Sequence, residues 1–154
     1  MSNNDQAVRD RLNALIPTLS GFTAKTQLIN AYDVEDNKDH LLKDGWGVKL
    51  ESSSVVTPYF TRSWTQSRNF TVVITAQVVH LENSRGPIDT VENTFLGNIY
   101  TLQKAFLDDN QLNIGTNIGK VDFVGDTGFN FILKDKTKFA TIEATFSFDI
   151  FESF

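Results

Sequence analysis

Two rhythms of apolar residues run along this chain, one helical and one alternating. Val8, Leu12, Leu15 and Ile16 recur on one helical face, which predicts a short helix over about 5–16. Asn3 or Asn4 can cap its start, and Pro17 ends it. The strongest helical pattern comes later. Val91, Phe95, Ile99, Leu102 and Phe106 follow one another at gaps of four, four, three and four, predicting a long helix over about 89–108. Asp89 and Glu92 have capping-box spacing at its start, and Leu96, Tyr100 and Leu107 widen the stripe. A stripe so bulky suits a helix laid across a sheet.

The alternating rhythm marks strands. Trp46, Val48 and Leu50 alternate within a strand over 45–52. An extended stretch over 59–81 follows, with Val72, Ile74, Ala76 and Val78 on one face and Thr71, Thr75 and Gln77 on the other. Asn83-Ser84-Arg85-Gly86-Pro87 reads as a loop before the long helix. Beyond that helix, Lys120–Val124 is a strand, Gly125-Asp126-Thr127-Gly128 carries a hairpin signal, and Phe129, Phe131 and Leu133 alternate after it. A turn at Lys134–Lys138 leads into the last strand, over 139–151. There Ala140, Ile142, Ala144, Phe146, Phe148 and Ile150 oppose Thr141, Glu143, Thr145, Ser147 and Asp149. The expected fold is α+β: one domain over 1–154, a mostly antiparallel sheet covered on one face by the long helix, its other face polar.

Two stretches resist this reading. Residues 18–45 hold Phe22, Leu28, Ile29 and Tyr32, which fit either a strand or an irregular arm. The acids Asp33, Glu35, Asp36 and Asp39 lie in the same stretch, but without the spacing or closing Glu of an EF-hand loop, so a solvated loop is expected. The second is the row Phe60, Arg62, Trp64, Gln66, Arg68 and Phe70, which mixes cations and aromatics on one strand face. Such a row suits a contact surface, since Arg and Trp are enriched at interface hot spots. A protruding hairpin with snorkelling side chains is the plainer alternative.

Composition narrows the function. Thirteen Phe and two Trp in 154 residues favour a sheet-rich core, and the lack of Cys removes disulfides and thiolate metal sites. A net charge of −5 argues against nucleic acid as the main partner. The N-terminus lacks a signal-peptide pattern, and no apolar run approaches the roughly 18–20 residues of a membrane span. The histidines, His40 and His80, stand forty residues apart without companions at ligand spacing. No Gly-x-Ser-x-Gly elbow occurs, and Gly115–Gly119 lacks the flanking order and the Lys of a phosphate loop. Glu143 and Asp149 sit six residues apart on one strand, their Cα atoms about 20 Å apart, too far for an acid/base pair. The sequence therefore predicts no enzyme, no cofactor and no metal site.

The order of these elements carries a resemblance: a short N-terminal helix, an arm into the Trp46–Leu50 strand, and a long strand pair around 61–81. One long helix with Phe95, Ile99 and Phe106 follows, then a β-meander ending in Ala140–Ile150. In order and size the whole chain resembles the tail-terminator (tail-completion) proteins of long-tailed bacteriophages. The resemblance implies a homohexameric ring, assembled in the host cytoplasm. In the virion the ring caps the tail tube at its head-proximal end and meets the head connector. DNA slides through its lumen without specific binding, which negative charge favours. Candidate residues for the subunit or partner interface are Arg62, Trp64, Arg68, Phe151 and Phe154, and candidate lumen acids are Asp33, Glu35, Asp36 and Asp39. Another neck or tail-tube protein fits the same pattern, as does a small-molecule-binding α+β domain with its helix lying over a curved sheet.

Overall fold

The computed structural model describes residues 4–57, 63–79, 86–108, 118–134 and 136–153. The architecture is α+β. A six-stranded mixed sheet carries two helices on one face, α1 (Asn4–Leu15) and α3 (Gly86–Leu107). The strands are β1 (Thr26–Gln27), β2 (Asp44–Thr57), β3 (Ser63–Val78), β4 (Ile118–Asp126), β5 (Asn130–Lys134) and β6 (Thr137–Ser153). They lie in the order β1-β2-β3-β6-β4, with β5 also paired to β6, and all pairs except β1–β2 are antiparallel.

The alternation of β3 and β6 is in phase. Phe70 stands opposite Phe146, Val72 opposite Ala144, and Ile74 opposite Ile142, so both strands turn their apolar residues to the same face. Trp46 and Val48 join them from β2, opposite Ile74 and Val72. Onto this face α3 lays Phe95, Ile99, Leu102 and Phe106, and α1 lays Val8, Leu12 and Leu15. The centre is ring on ring: Phe106 meets Phe146 at 4.8 Å, Phe123 meets Phe146 at 5.2 Å, and Phe70 meets Phe148 edge-on at 5.4 Å.

Both helices start differently from the sequence pattern. Helix α3 runs from Gly86, so Asp89 lies inside it rather than capping it. Proline needs no N–H partner in a first helical turn, so Pro87 lengthens the helix where its sequence context suggests a loop. Asn4 is already helical. Its backbone N–H donates to Glu152 Oε1 at 3.2 Å, so a carboxylate from the far end of the chain takes the capping role. Asn3 lies outside the described residues, as do His80, Asn83–Arg85 and Gly115–Asn117.

Two further expectations are corrected. At Gly125–Gly128 the chain does not reverse: β4 and β5 both run antiparallel to β6, one after the other along the same edge. Asp126 and Asn130 face Ala144 and Thr141, four steps against three, so the segment is a bulge in one long edge strand. Asp126 Oδ1 accepts from Gly128 N–H at 2.8 Å, and Gly128 takes φ +75°, which closes the extra residue into a local loop. Thr127 keeps the ladder intact. Its N–H donates to the Glu143 carbonyl at 3.0 Å, and its hydroxyl accepts from Glu143 N–H at 3.1 Å.

The second correction concerns the far face of the sheet, which is not polar throughout. The chain passes the β2 edge at β1 and lays residues 28–42, including the short helix α2 (Asp39–Leu42), across that face. Leu28, Ala31, Leu41 and Leu42 bury Val73 and Phe139 there, a second and smaller core. Thr75 and Thr141 are buried at the same end. The arm therefore supplies a third layer. Phe146 tests the main core: Phe146→Ala should cost about 3–5 kcal/mol in chemical denaturation. A variant as stable as the parent would contradict its central placement.

Candidate assembly interface

Arg68, the one cation within β3, finds its partners inside the subunit. Arg68 directs its Nε and one terminal nitrogen to the Asp5 carboxylate of α1, at 3.2 and 3.1 Å, and Gln66 Nε2 donates to the same carboxylate. The other Arg68 terminal nitrogen donates to the Glu51 carbonyl at 2.9 Å. The polar residues here continue the core face of β3 to where the first turn of α1 brings an acid. Trp64 is half-buried on this side, across the strand pair from Glu152. Phe151 points its ring to solvent on the far face, while its carbonyl accepts from Asn4 Nδ2 at 2.7 Å. Arg62 and Phe154 lie outside the described residues. Of the five candidate interface residues, the structure thus brings Trp64 and Arg68 to the N-terminus of α1, whereas Phe151 reaches it only through its backbone carbonyl.

Burial raises the pKa of Glu152 above the ordinary 4.5; the Asn4 N–H opposes this and the nearby Asp5 charge adds to it. A carboxyl raised in the folded state stabilises most below its unfolded value, and that contribution is lost as pH rises through the folded one. At neutral pH the charge is therefore held against a penalty.

The acidic stretch is organised by a residue that sequence reasoning passed over, the buried Asn37. Its Oδ1 accepts from the N–H groups of Ile29 and Asn30, both at 2.9 Å. Its Nδ2 donates to the carbonyls of Asn30, Val34 and Asp33, at 2.7, 3.0 and 3.3 Å. The carbonyls that a cation would need already converge on this amide. Around it Asp33 and Glu35 face solvent, Asp36 accepts from Asn30 Nδ2 at 3.3 Å, and Asp39 pairs with Lys134 at 3.1 Å. Lys134 also donates to the Asn37 carbonyl at 2.6 Å, tying the arm to β5. An isolated Asn between acids gives no periodic signal, which is why the pattern missed it.

Past the arm, the far face carries Thr71 bonded to Thr145, Ser67 bonded to Ser147, and Lys49 bridged to Glu143 and Glu51. Burial pulls the Lys49 ammonium down, but its bonds and attraction to Glu143 and Glu51 together outweigh this, so its pKa stands above 10.5. Its contribution to stability is complete below that value and is lost only as pH rises through the folded one. Lys49 and Glu143 therefore offset each other's charge on this face at neutral pH.

Among the described residues there is no group of three or more His, Cys, Asp or Glu placed to hold a metal ion. A shallow groove of about 240 Å³ is lined by Asp5, Gln6, Arg9 and Leu50, beside the β2 edge where Tyr32 accepts a hydrogen bond from Leu50 N–H. No described helix is long and apolar enough to cross a membrane. The chain matches no protein-family model and no curated protein sequence.

Two tests follow from this geometry. Asn37→Ala leaves the Ile29 and Asn30 amides and three carbonyls without their partner, so it should cost about 2–3 kcal/mol. It should also expose the arm to limited proteolysis, and a fully protected arm would refute the role given to Asn37. Glu152→Gln keeps an acceptor for Asn4 N–H but removes the buried charge. Its melting temperature should gain on the parent's as pH rises from about 4.5; a difference independent of pH would refute the penalty.

Proposed function

We propose that this chain is a structural assembly protein, a tail terminator whose copies form a ring capping a phage tail tube and meeting the head connector. The observation that carries the reading is the distribution of apolar surface. Where α3 meets the sheet, Phe106 packs against the rings of Phe146 and Phe148 at 4.8 and 6.3 Å, while other large apolar side chains on α3, β4 and β5 face outward. That combination favours a body that binds through its outside, and it supports a ring subunit over a domain folded around a ligand. The element order supports the same reading in its first part: a short helix, an arm, long strands and one long helix occur in the order expected of that family. Residues 63–78, however, form one strand rather than a pair, and the chain ends in a hairpin of the bulged β4–β5 edge with β6 rather than in a meander.

On this reading Trp64 and Phe151, with Arg62 and Phe154, border the tube or a neighbouring subunit, and Asp33, Glu35, Asp36 and Asp39 are the lumen candidates. Arg68 and Asp39 act there through fixed internal ion pairs. No catalytic step or cofactor is part of the proposal.

The test is oligomeric state. Light scattering on the chain alone and mixed with tail-tube protein should reveal a discrete ring, hexameric on the family pattern. A strict monomer under both conditions would overturn the reading. Open fibres in electron micrographs would instead reassign the chain to the tube itself.

A further inference from the structure

Two of the outward apolar surfaces lie outside the candidate interface residues named above. The first is a row along the outer side of α3. Asp89, Glu92, Leu96, Tyr100 and Leu107 follow at helical spacing in one line, and Leu96, Tyr100 and Leu107 are 62%, 66% and 45% exposed. Asp89 and Glu92 are exposed at the start of the row, and neither forms an ion pair with another described residue.

The second surface is the β5–β6 hairpin. Phe131 and Leu133 lie on the helix-bearing side of the sheet's edge strand, 47% and 70% exposed. Lys138 stands opposite Leu133 and places its Nζ 4.9 Å from the Phe131 ring centre. Lys136 is exposed at the turn. Neither lysine has a carboxylate partner among the described residues, whereas Lys134, on the other side of the same strand, is held by Asp39.

We propose that these surfaces are the two halves of one head-to-tail contact between copies of this chain. The hairpin of one copy lies along the outer side of α3 of the next. Lys136 and Lys138 face Asp89 and Glu92, and Phe131 and Leu133 cover Leu96 and Tyr100. The proposal rests on the ring reading and assigns the surfaces that build the ring. One chain carries both halves, so the occupant is a second copy. The halves are unlike in charge and alike in apolar character, so burial drives the contact while charge fixes its polarity. Like surfaces are kept apart, because two hairpins would bring lysines together and two helix rows would bring acids together. Two different surfaces in contact generate a ring when the rotation closes.

Charge reversal tests this, read by sedimentation of the full chain over a concentration series. A hairpin variant carries Lys136→Glu with Lys138→Glu, and a helix variant carries Asp89→Lys with Glu92→Lys. Each alone should weaken self-association about tenfold or more, with the parent's circular dichroism retained. Mixed together they should associate again, since the reversed hairpin then meets a reversed helix. If Asp89→Lys frays the helix start, Glu92→Lys alone serves as the helix variant. Parent-like assembly by both variants, or a mixture that stays dissociated, would overturn the surface assignment and leave the ring reading standing. A parent chain that is monomeric alone and with tail-tube protein overturns both.

Discussion

Sixteen consecutive residue pairs join β3 to β6, from Ser63↔Ser153 to Val78↔Lys138, and the rest of the molecule depends on that register. Because side chains alternate with period two, a slip of one residue would turn Phe146 and Phe148 away from the helices and push Thr145 and Ser147 into them. The pairing also fixes both layers built upon the sheet. Its even-numbered face presents Phe70, Val72, Ile74, Ala144 and Phe146 to α1 and α3. Its odd-numbered face presents Val73 and Phe139 to the arm. It even sets the helix start: β6 extends to Ser153, which carries Glu152 to the first amide of α1 and leaves Trp64 opposite it.

The periodic parts of this arrangement could be read directly. Val8, Leu12 and Leu15 sit where helical spacing places them, and the last strand's even residues are buried as its alternation requires. What escaped the pattern lacks periodicity or depends on partners distant in the chain. The arm is held by Asn37, an amide serving five backbone groups, and by Leu41 and Leu42 meeting strands dozens of residues away. Gly125–Gly128 has the composition of a reversal. Thr127 nevertheless engages both backbone groups of Glu143, and the local loop becomes a bulge. Turn chemistry fixes local dihedrals but leaves open which strand the chain pairs with next.

The arm changes what the sheet can do. A face expected to be wet carries a second core at one end and, at the other, a polar surface of paired hydroxyls with the Lys49–Glu143 bridge. Lys134, at the junction, is held by the Asn37 carbonyl and by Asp39. One side of β5 is thus committed to the arm through Ile132 and Lys134, while Phe131 and Leu133 on its other side are left outward.

The candidate surfaces and the candidate core partly exchange places once the packing is known, for two physical reasons. Arg68 and Gln66 continue the core face of β3, but they reach it where the polar start of α1 lies above; a cation on an inward face implies an acid from the covering layer, and Asp5 is that acid. Leu96, Tyr100 and Leu107 extend the stripe of α3, but at 100° per residue the apolar positions then occupy roughly half the helix circumference. A helix resting on one sheet buries a narrower sector, so the residues beyond it face outward. The excess width of that stripe is therefore the feature that most directly supports an assembly role. The residues that fold the chain and those left exposed lie on the same helix, separated only by their angle around it.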